Sequence, residues 1–374
     1  MTNNILFAAG RESSYIRNHL ILQAARSISS VTAIAPSQPG SLTRNIFSVL
    51  LRLLPALRMP HDLVILGFYA HPLVPLVRRL TAAPILFDAF VSTWDTLCFD
   101  RGKFPPNSFR GRRARQLDTL ACHSADRVIL DTRTHAQYFS DTFGIPSVKI
   151  NHWYVGCDET IFQPVTYTPR STVEPMTVFF YGTYQPLHGV DVIVESAALL
   201  KDEPNIRFVL IGDGQTFEQS CQIAMKHGLT NIAFHAAAPI ATLAGWIASS
   251  DICLAGPFGA TPKAKRVISG KTAQFLATAR PVIAGDSPAN RELLVHGVSA
   301  YLCQQADPRA LAEAIRQLAF DPTLRARIAS GGRRLFEERL SLSRLTADLA
   351  LIIKSALQAN AHRAASNRST HERH

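Results

Sequence analysis

The stretch GPFGATPKAKRVISGKTAQFLATARPVIAGDSPANRELLVHG, residues 256–297, decides the fold. It opens on a flexible loop, Gly256-Pro257-Phe258-Gly259, whose glycines let the backbone come close to a ligand. It then crowds Lys263, Lys265, Arg266 and Lys271 into one short region, a place suited to a phosphate. A helix is expected over 267–278, then a short apolar strand at 281–284, a second turn Gly285-Asp286-Ser287-Pro288, and another helix. Strand, turn and helix recurring in this order mark an α/β nucleotide-binding sheet.

Working outward, the same alternation fills the chain. ILFAA (5–9), VTAIA (31–35), DLVIL (62–66), PILFD (84–88) and RVILD (127–131) read as buried parallel strands separated by helical stretches. The first turn, Gly10-Arg11-Glu12-Ser13-Ser14, would lie at the carboxyl end of its strand, where open α/β sheets bind ligands. It lacks the G-x-G-x-x-G pattern, which argues against NAD. In FDAFVSTWDT (87–96), Asp88 and Asp95, with Ser92 between them, offer carboxylates that could accept a proton from a ligand hydroxyl or hold that hydroxyl, or could simply cap the loop and the following turn.

A second set of elements follows a proline- and threonine-rich segment, residues 166–176, which is expected to be the linker. MTVFFYGTY starts the second domain; its strand ends at Gly182, and a helix runs over 189–200. IRFVLIGDG (206–214) is a strand with a glycine turn at Gly212 and Gly214, and IAFHAAAP, which contains His235, and DICLAG are further strands. The expected organisation is therefore a first domain 1–165, a second domain 177–344, a helix 345–358 that returns to the first domain, and a disordered tail 359–374.

Composition agrees with a globular enzyme-sized chain. Its 374 residues suffice for two ordinary domains, and 47% apolar with 18% charged residues describes neither a disordered nor a fibrous protein. No run reaches roughly 18 uninterrupted apolar residues and the N-terminus lacks a leader pattern, so a cytosolic protein is expected. The six cysteines show no C-x-x-C spacing and fit reduced thiols; neither zinc nor any other metal is expected. The net charge of +11 points to polyanionic company, an anionic lipid surface, a phosphorylated substrate or nucleic acid, for the last of which there is no motif, or else serves solubility alone. Two segments carry this idea. Residues 41–58 mix large apolar side chains with Arg44, Arg52 and Arg58, which suits a helix on a bilayer surface or one packed on the sheet. Residues 100–116 read as a basic, proline-interrupted loop that could hold a phosphorylated acceptor or be merely solvated.

ATARPVIAGDSPANRELL resembles the donor-binding domain of the retaining glycosyltransferases of family 4, whose acidic pair E-x7-E precedes a G-x-P-V-I strand. Counted back from Pro281, the two acids fall on Arg266 and Gln274, and a TPKA loop carries Lys263 and Lys271 instead. The resemblance implies the GT-B fold, two Rossmann-like domains facing a cleft, and transfer of a sugar from a nucleotide-sugar donor to a glycan, glycolipid or other acceptor with retention of configuration. It implies donor contacts at Gly182, Thr183, His188, Gly189, Gly212, Gly214, His235, Gly259, Arg266, Val267 and Gln274, with Thr183 and His188 standing where the family usually has arginine and lysine. Gln274 would accept from ribose hydroxyls through its carbonyl oxygen. Residues 87–96 occupy the place of a family histidine; the resemblance implies Asp88 acting with Lys263 and Lys271 in catalysis, and Gly10, Arg11, Ser92 and Asp95 in acceptor or sugar contact.

The sequence has no D-x-D pair, so cationic side chains and helix N-termini are expected to neutralise the leaving diphosphate without metal or cofactor. Two other readings stay open: a nucleotide-sugar epimerase on the same architecture, and a non-catalytic nucleotide- or polyanion-binding subunit that has lost the acidic pair. A membrane-peripheral location on the cytoplasmic side would suit a lipid-linked acceptor.

Overall fold

The structure, a computed structural model, describes residues 4–165 and 175–371, with side chains through residue 358. Most of the expected linker therefore lies outside the described residues.

The first unit gathers 1–98, 103–155 and 342–374. It alternates β1 (Asn4–Ala8), α1 (Ile16–Ile28), β2 (Ser30–Ile34), α2 (Leu42–Ala56), β3 (Leu63–Leu66), α3 (Leu73–Leu80), β4 (Ile85–Asp88), α4 (Phe109–Ser124), β5 (Arg127–Leu130), α5 (Arg133–Phe143) and β6 (Ile150–His152). All strand pairs are parallel, in the order β2-β1-β3-β4-β5-β6. Alternate residues of the central strands, such as Leu6, Val64, Phe87 and Val128, meet α2, α3, α4 and α5 in one core on a single face. Strands sandwiched this way must be apolar on both sides, which is why they read as continuous rather than alternating runs. β2 departs from that expectation: it is an edge strand and largely exposed.

The second unit gathers 99–102 and 156–341. Its elements are β7 (Met176–Gly182), α6 (Val190–Leu199), β8 (Ile206–Gly212), α7 (Phe217–Lys226), β9 (Ile232–His235), α8 (Ile240–Ser249), β10 (Ile252–Leu254), α9 (Gly270–Ala277), β11 (Val282–Asp286), α10 (Pro288–Arg291), β12 (Tyr301–Gln304), α11 (Pro308–Phe320) and α12 (Pro322–Arg339). The parallel sheet runs β12-β11-β10-β7-β8-β9. Read from the other edge this is the doubly wound order, with the reversal between β7 and β10, and that is where such sheets bind ligands. The last helix, α13 (Leu342–His371), belongs to the first unit; it packs on α1, and its Leu345 carbonyl accepts from Trp153 Nε1 at 2.8 Å. α13 also carries residues 359–371 as helix, where the sequence suggests a disordered tail.

Two local expectations need correction. Residues 109–116 are not loop: Ser108 Oγ accepts from Gly111 N at 3.1 Å, and this cap starts α4 as soon as Pro105-Pro106 has been passed. The helix expected from Val267 starts only at Gly270, because Ser269 takes the N-cap position and Pro262–Lys265 forms its own 3₁₀ turn.

Candidate donor site and its relatives

At the carboxyl ends of β7 and β10, two loops are stitched together by their backbones. Phe258 N donates to the His188 carbonyl at 3.2 Å, and Gly259 N to that of Leu187 at 3.0 Å. The approach is close enough to require glycine on both sides. A Cβ on Gly189, whose φ is +65°, would stand 2.4 Å from Gly259 N, and one on Gly259 would stand 2.2 Å from the Pro186 carbonyl oxygen. From behind, Asn290 Nδ2 donates to the Gly256 carbonyl at 3.1 Å, and Gln305 Nε2 to those of Pro257 at 2.9 Å and Ala264 at 3.0 Å. The 256–264 loop is thus held through its backbone carbonyls by two side chains from outside it.

Three basic groups converge on this frame. Lys271, in the first turn of α9, is 6% exposed; its Nζ stands 4.1 Å from the ring centroid of Phe180 and has no hydrogen-bond partner. Burial lowers its pKa to about 7. Lys263, in the 3₁₀ turn that Thr261 caps, is also 6% exposed, and its Nζ lies 3.8 Å from Asp100 Oδ2. His188 is half-buried, but its Nδ1 is enclosed without a partner. Burial pushes its pKa well below the usual imidazole range, and the fields of Lys271 and Lys263 add to the effect. The imidazole is therefore neutral near pH 7. A desolvated ammonium with nothing to pair with is costly by itself and suits a site whose anion arrives with the ligand.

Asp100 was not singled out by its sequence context. It belongs to the second unit, and besides facing Lys263 it accepts from Leu187 N at 3.2 Å, which anchors the 183–189 turn. No spacing rule connects residues 100, 187 and 263.

The other expected donor residues divide. Gly182 borders His188: a Cβ there would stand 3.2 Å from its Nδ1. Gly212 and Gly214 fold the 212–216 turn against the 182–184 segment, since an added Cβ would come within 1.9 Å of the Gly182 and Thr183 carbonyl oxygens respectively. The Thr183 side chain is exposed. Arg266 is half-buried and follows the 3₁₀ turn, whereas Val267 is buried in the core. The carbonyl oxygen of Gln274, expected to meet a ribose, accepts instead from the Tyr181 hydroxyl. His235 ends the edge strand β9, two strands from β7, and packs on Trp246 with ring centroids 5.3 Å apart; it is not brought to the lysines.

In the first unit the expected acceptor residues are mostly tied into the fold. Asp88 and Arg17 are both fully buried and paired, with Arg17 Nη2 at 2.8 Å from Oδ1 and Nε at 3.1 Å from both carboxylate oxygens. Arg17 Nη1 also donates to the Trp153 carbonyl at 2.6 Å. Burial presses the Asp88 carboxyl upward against the pull of Arg17. The carboxylate expected at the reacting centre is thus paired with Arg17 and buried at the end of β4. Ser92 Oγ donates to Asp118 at 2.6 Å and accepts from Asp95 N at 2.9 Å, so Ser92 and buried Asp95 shape the turn after β4. Gly10 lies at the β1/β3 crossover, where its N donates to the Phe68 carbonyl at 3.0 Å, and half-buried Arg11 pairs with Glu12 at 2.9 Å.

Among the described residues, no cluster of three His, Cys, Asp or Glu could hold a metal ion. All six cysteines are free.

Residues 175–321, from just before β7 to the end of α11, match the family model "Glycosyl transferases group 1". The D-inositol 3-phosphate glycosyltransferase of Thermobispora bispora is 25% identical over 253 residues, covering 63% of this chain and 57% of that protein. The enzyme of the same name from Streptosporangium roseum is 24% identical over 223 residues, covering 55% and 50%. The chain thus spans little more than half the length of these curated relatives. Anabaena Alr3699/HepE, solved in complex with UDP, superposes with a TM-score of 0.70 at 15% identity, over 95% of this chain and 100% of that one. A sucrose-phosphate synthase from Thermosynechococcus elongatus gives 0.73 at 15% identity, over 96% and 100%. Two doubly wound sheets and these superpositions establish two Rossmann-like units of the GT-B fold, and the second of them contains the residues that match the glycosyltransferase group 1 model.

Proposed function

We propose that the chain is a glycosyltransferase that moves a sugar from a uridine diphosphate sugar to a hydroxyl of a glycan, glycolipid or other polyol, with retention of anomeric configuration. The observation that carries this reading is the buried, unpartnered ammonium of Lys271 at the β7/β10 reversal, beside Lys263 and His188. The choice of uridine diphosphate is supported by Anabaena HepE, solved with UDP and with UDP-glucose. The polyol acceptor is supported by the D-inositol 3-phosphate glycosyltransferases, and retention by the family 4 resemblance of residues 277–294.

In this reading, the bond from the anomeric carbon to the diphosphate oxygen breaks, a bond to the acceptor oxygen forms, and the proton of the acceptor hydroxyl passes to the departing diphosphate. Negative charge grows on the departing diphosphate, and Lys271 and Lys263 supply the opposing field from fixed positions, without reorganisation and without a metal. The N-terminus of α6 and the neutral His188 add a dipole end and a hydrogen bond. Lys271→Ala and Lys263→Ala should each lower turnover by about 10²-fold, the loss expected for one preorganised donor to a developing anion. Chelator should leave turnover unchanged. Rates within a few-fold of the parent in both variants would remove these lysines from the leaving-group site.

A second reading, a nucleotide-binding subunit without turnover, is favoured by the engagement of Gln274 with Tyr181 in the place of a family acid. UDP-sugar binding without transfer to any acceptor would select it.

A further inference from the structure

The helices α2, α3 and α4 share one face of the first sheet, and their outward sides are strongly one-signed. Between them they expose Arg44, Arg52, Arg79, Arg110, Arg112, Arg113 and Arg115; Arg78 is half-buried and paired with Asp126 at 2.8 Å, and the one acid of these helices, Asp118, is buried. α2 buries only a narrow stripe, Asn45, Val49 and Leu53. It turns Phe47, 61% exposed, and Leu51, 57% exposed, outward, with Leu54 and Met59 also exposed. A surface helix of a globular protein normally does the reverse. α4 repeats the combination, with Phe109, 67% exposed, and Leu120 alongside its arginines.

We propose that this helical layer is a docking surface for an anionic lipid bilayer, with α2 lying in the interface. Charge complementarity selects an anionic partner, and the exposed Phe47, Leu51 and Leu54 select a bilayer over a polyanion such as RNA. A nucleic acid backbone offers arginines a partner but gives aliphatic side chains nothing to bury against, whereas the acyl boundary takes them up. Among the described residues no helix is long and apolar enough to cross a membrane, so the contact is with the surface. The proposal stands independently of the donor chemistry.

The test is flotation of the full chain with phosphatidylglycerol–phosphatidylcholine vesicles, against vesicles of phosphatidylcholine alone. Binding is expected to the anionic vesicles, to weaken with salt, and to drop about fivefold for each outward arginine replaced by glutamine. The triple variant Phe47→Ser, Leu51→Ser, Leu54→Ser should float at least tenfold less while keeping the parent's circular dichroism and nucleotide affinity, because all three side chains point away from the core. No flotation with anionic vesicles would overturn the proposal. So would flotation that the triple variant leaves intact while heparin abolishes it, since that pattern describes a general polyanion site. If the serine variant proves unfolded, Arg110→Gln with Arg113→Gln tests the same surface through charge, and unchanged flotation would equally overturn it.

Discussion

The ammonium of Lys271 stands 4.1 Å over the ring of Phe180 and 5.9 Å from that of Tyr181, and it has no hydrogen-bond partner. A ring face offsets part of the desolvation of a cation, by about 2 kcal/mol at best, and leaves its hydrogen-bonding capacity unused. Lys263, by contrast, has Asp100 3.8 Å away. The two lysines that sequence places in one cluster therefore differ: Lys263 faces a carboxylate at rest, and Lys271 has no hydrogen-bond partner.

This difference has a pH signature in the ligand-free protein. Lys271 is lowered to about 7 in the fold and returns to the ordinary lysine range, about 10.4, when unfolded. Between those values the unfolded chain binds the extra proton, so stability should rise with pH from 7 towards 10, by up to about 1.4 kcal/mol per pH unit from this group. His188, depressed below 6.5, acts in the same direction at lower pH: stability should fall as pH drops below 6.5. Urea midpoints measured from pH 5.5 to 9.5 test this. A flat or falling profile between 7 and 9 would mean that Lys271 stays charged and solvated.

Stability and binding should separate at the same residue. Lys271→Met keeps the side-chain volume and removes a buried charge, so the ligand-free variant should melt at or above the parent temperature while losing at least tenfold in UDP affinity. A variant that melts lower and binds UDP normally would make Lys271 a packing residue.

Asp88 should behave as a structural residue. Asp88→Ala leaves Arg17 buried and unpaired, and removing one partner of a buried ion pair typically costs about 3–5 kcal/mol. Denaturant unfolding should record that loss with UDP affinity near the parent value. A fully stable variant with lowered turnover would return Asp88 to the reacting centre.

Much of the fold was legible because its signals are local. Continuous apolar runs such as FVLIG and ILFD are what a parallel sheet covered on both faces demands, and they located the strands. β6 and β12, three and four residues long, give no such run and went unread. The lysine cluster was legible as composition, but its burial was not, because that depends on Phe180 arriving from β7. The partners of Asp88 and Lys263 were beyond reach for the same reason: Arg17 is 71 residues away along the chain from Asp88, and nothing in RNHL marks its arginine as a core residue. A carboxylate at a strand end reads identically whether it faces substrate or a buried guanidinium.

The close approach of the two loops gives a further test. Gly259→Ala would set a methyl 2.2 Å from the Pro186 carbonyl oxygen, a contact that only a backbone shift can relieve. The variant should lose several-fold in UDP affinity and melt a few degrees lower, in line with a cost of about 1–3 kcal/mol for overpacking. Parent-like affinity would show that the 183–189 turn moves without consequence for the ligand.

Proton uptake on nucleotide binding tests the central claim most directly. At pH 8.5 a lysine with a pKa near 7 is almost entirely neutral, and pairing with a diphosphate should return it to the ammonium form. Titration calorimetry of UDP in buffers of differing ionisation enthalpy should report uptake of about one proton per UDP, vanishing in Lys271→Met. Heats that do not depend on the buffer, or an uptake that persists in the variant, would contradict the placement of the diphosphate against Lys271.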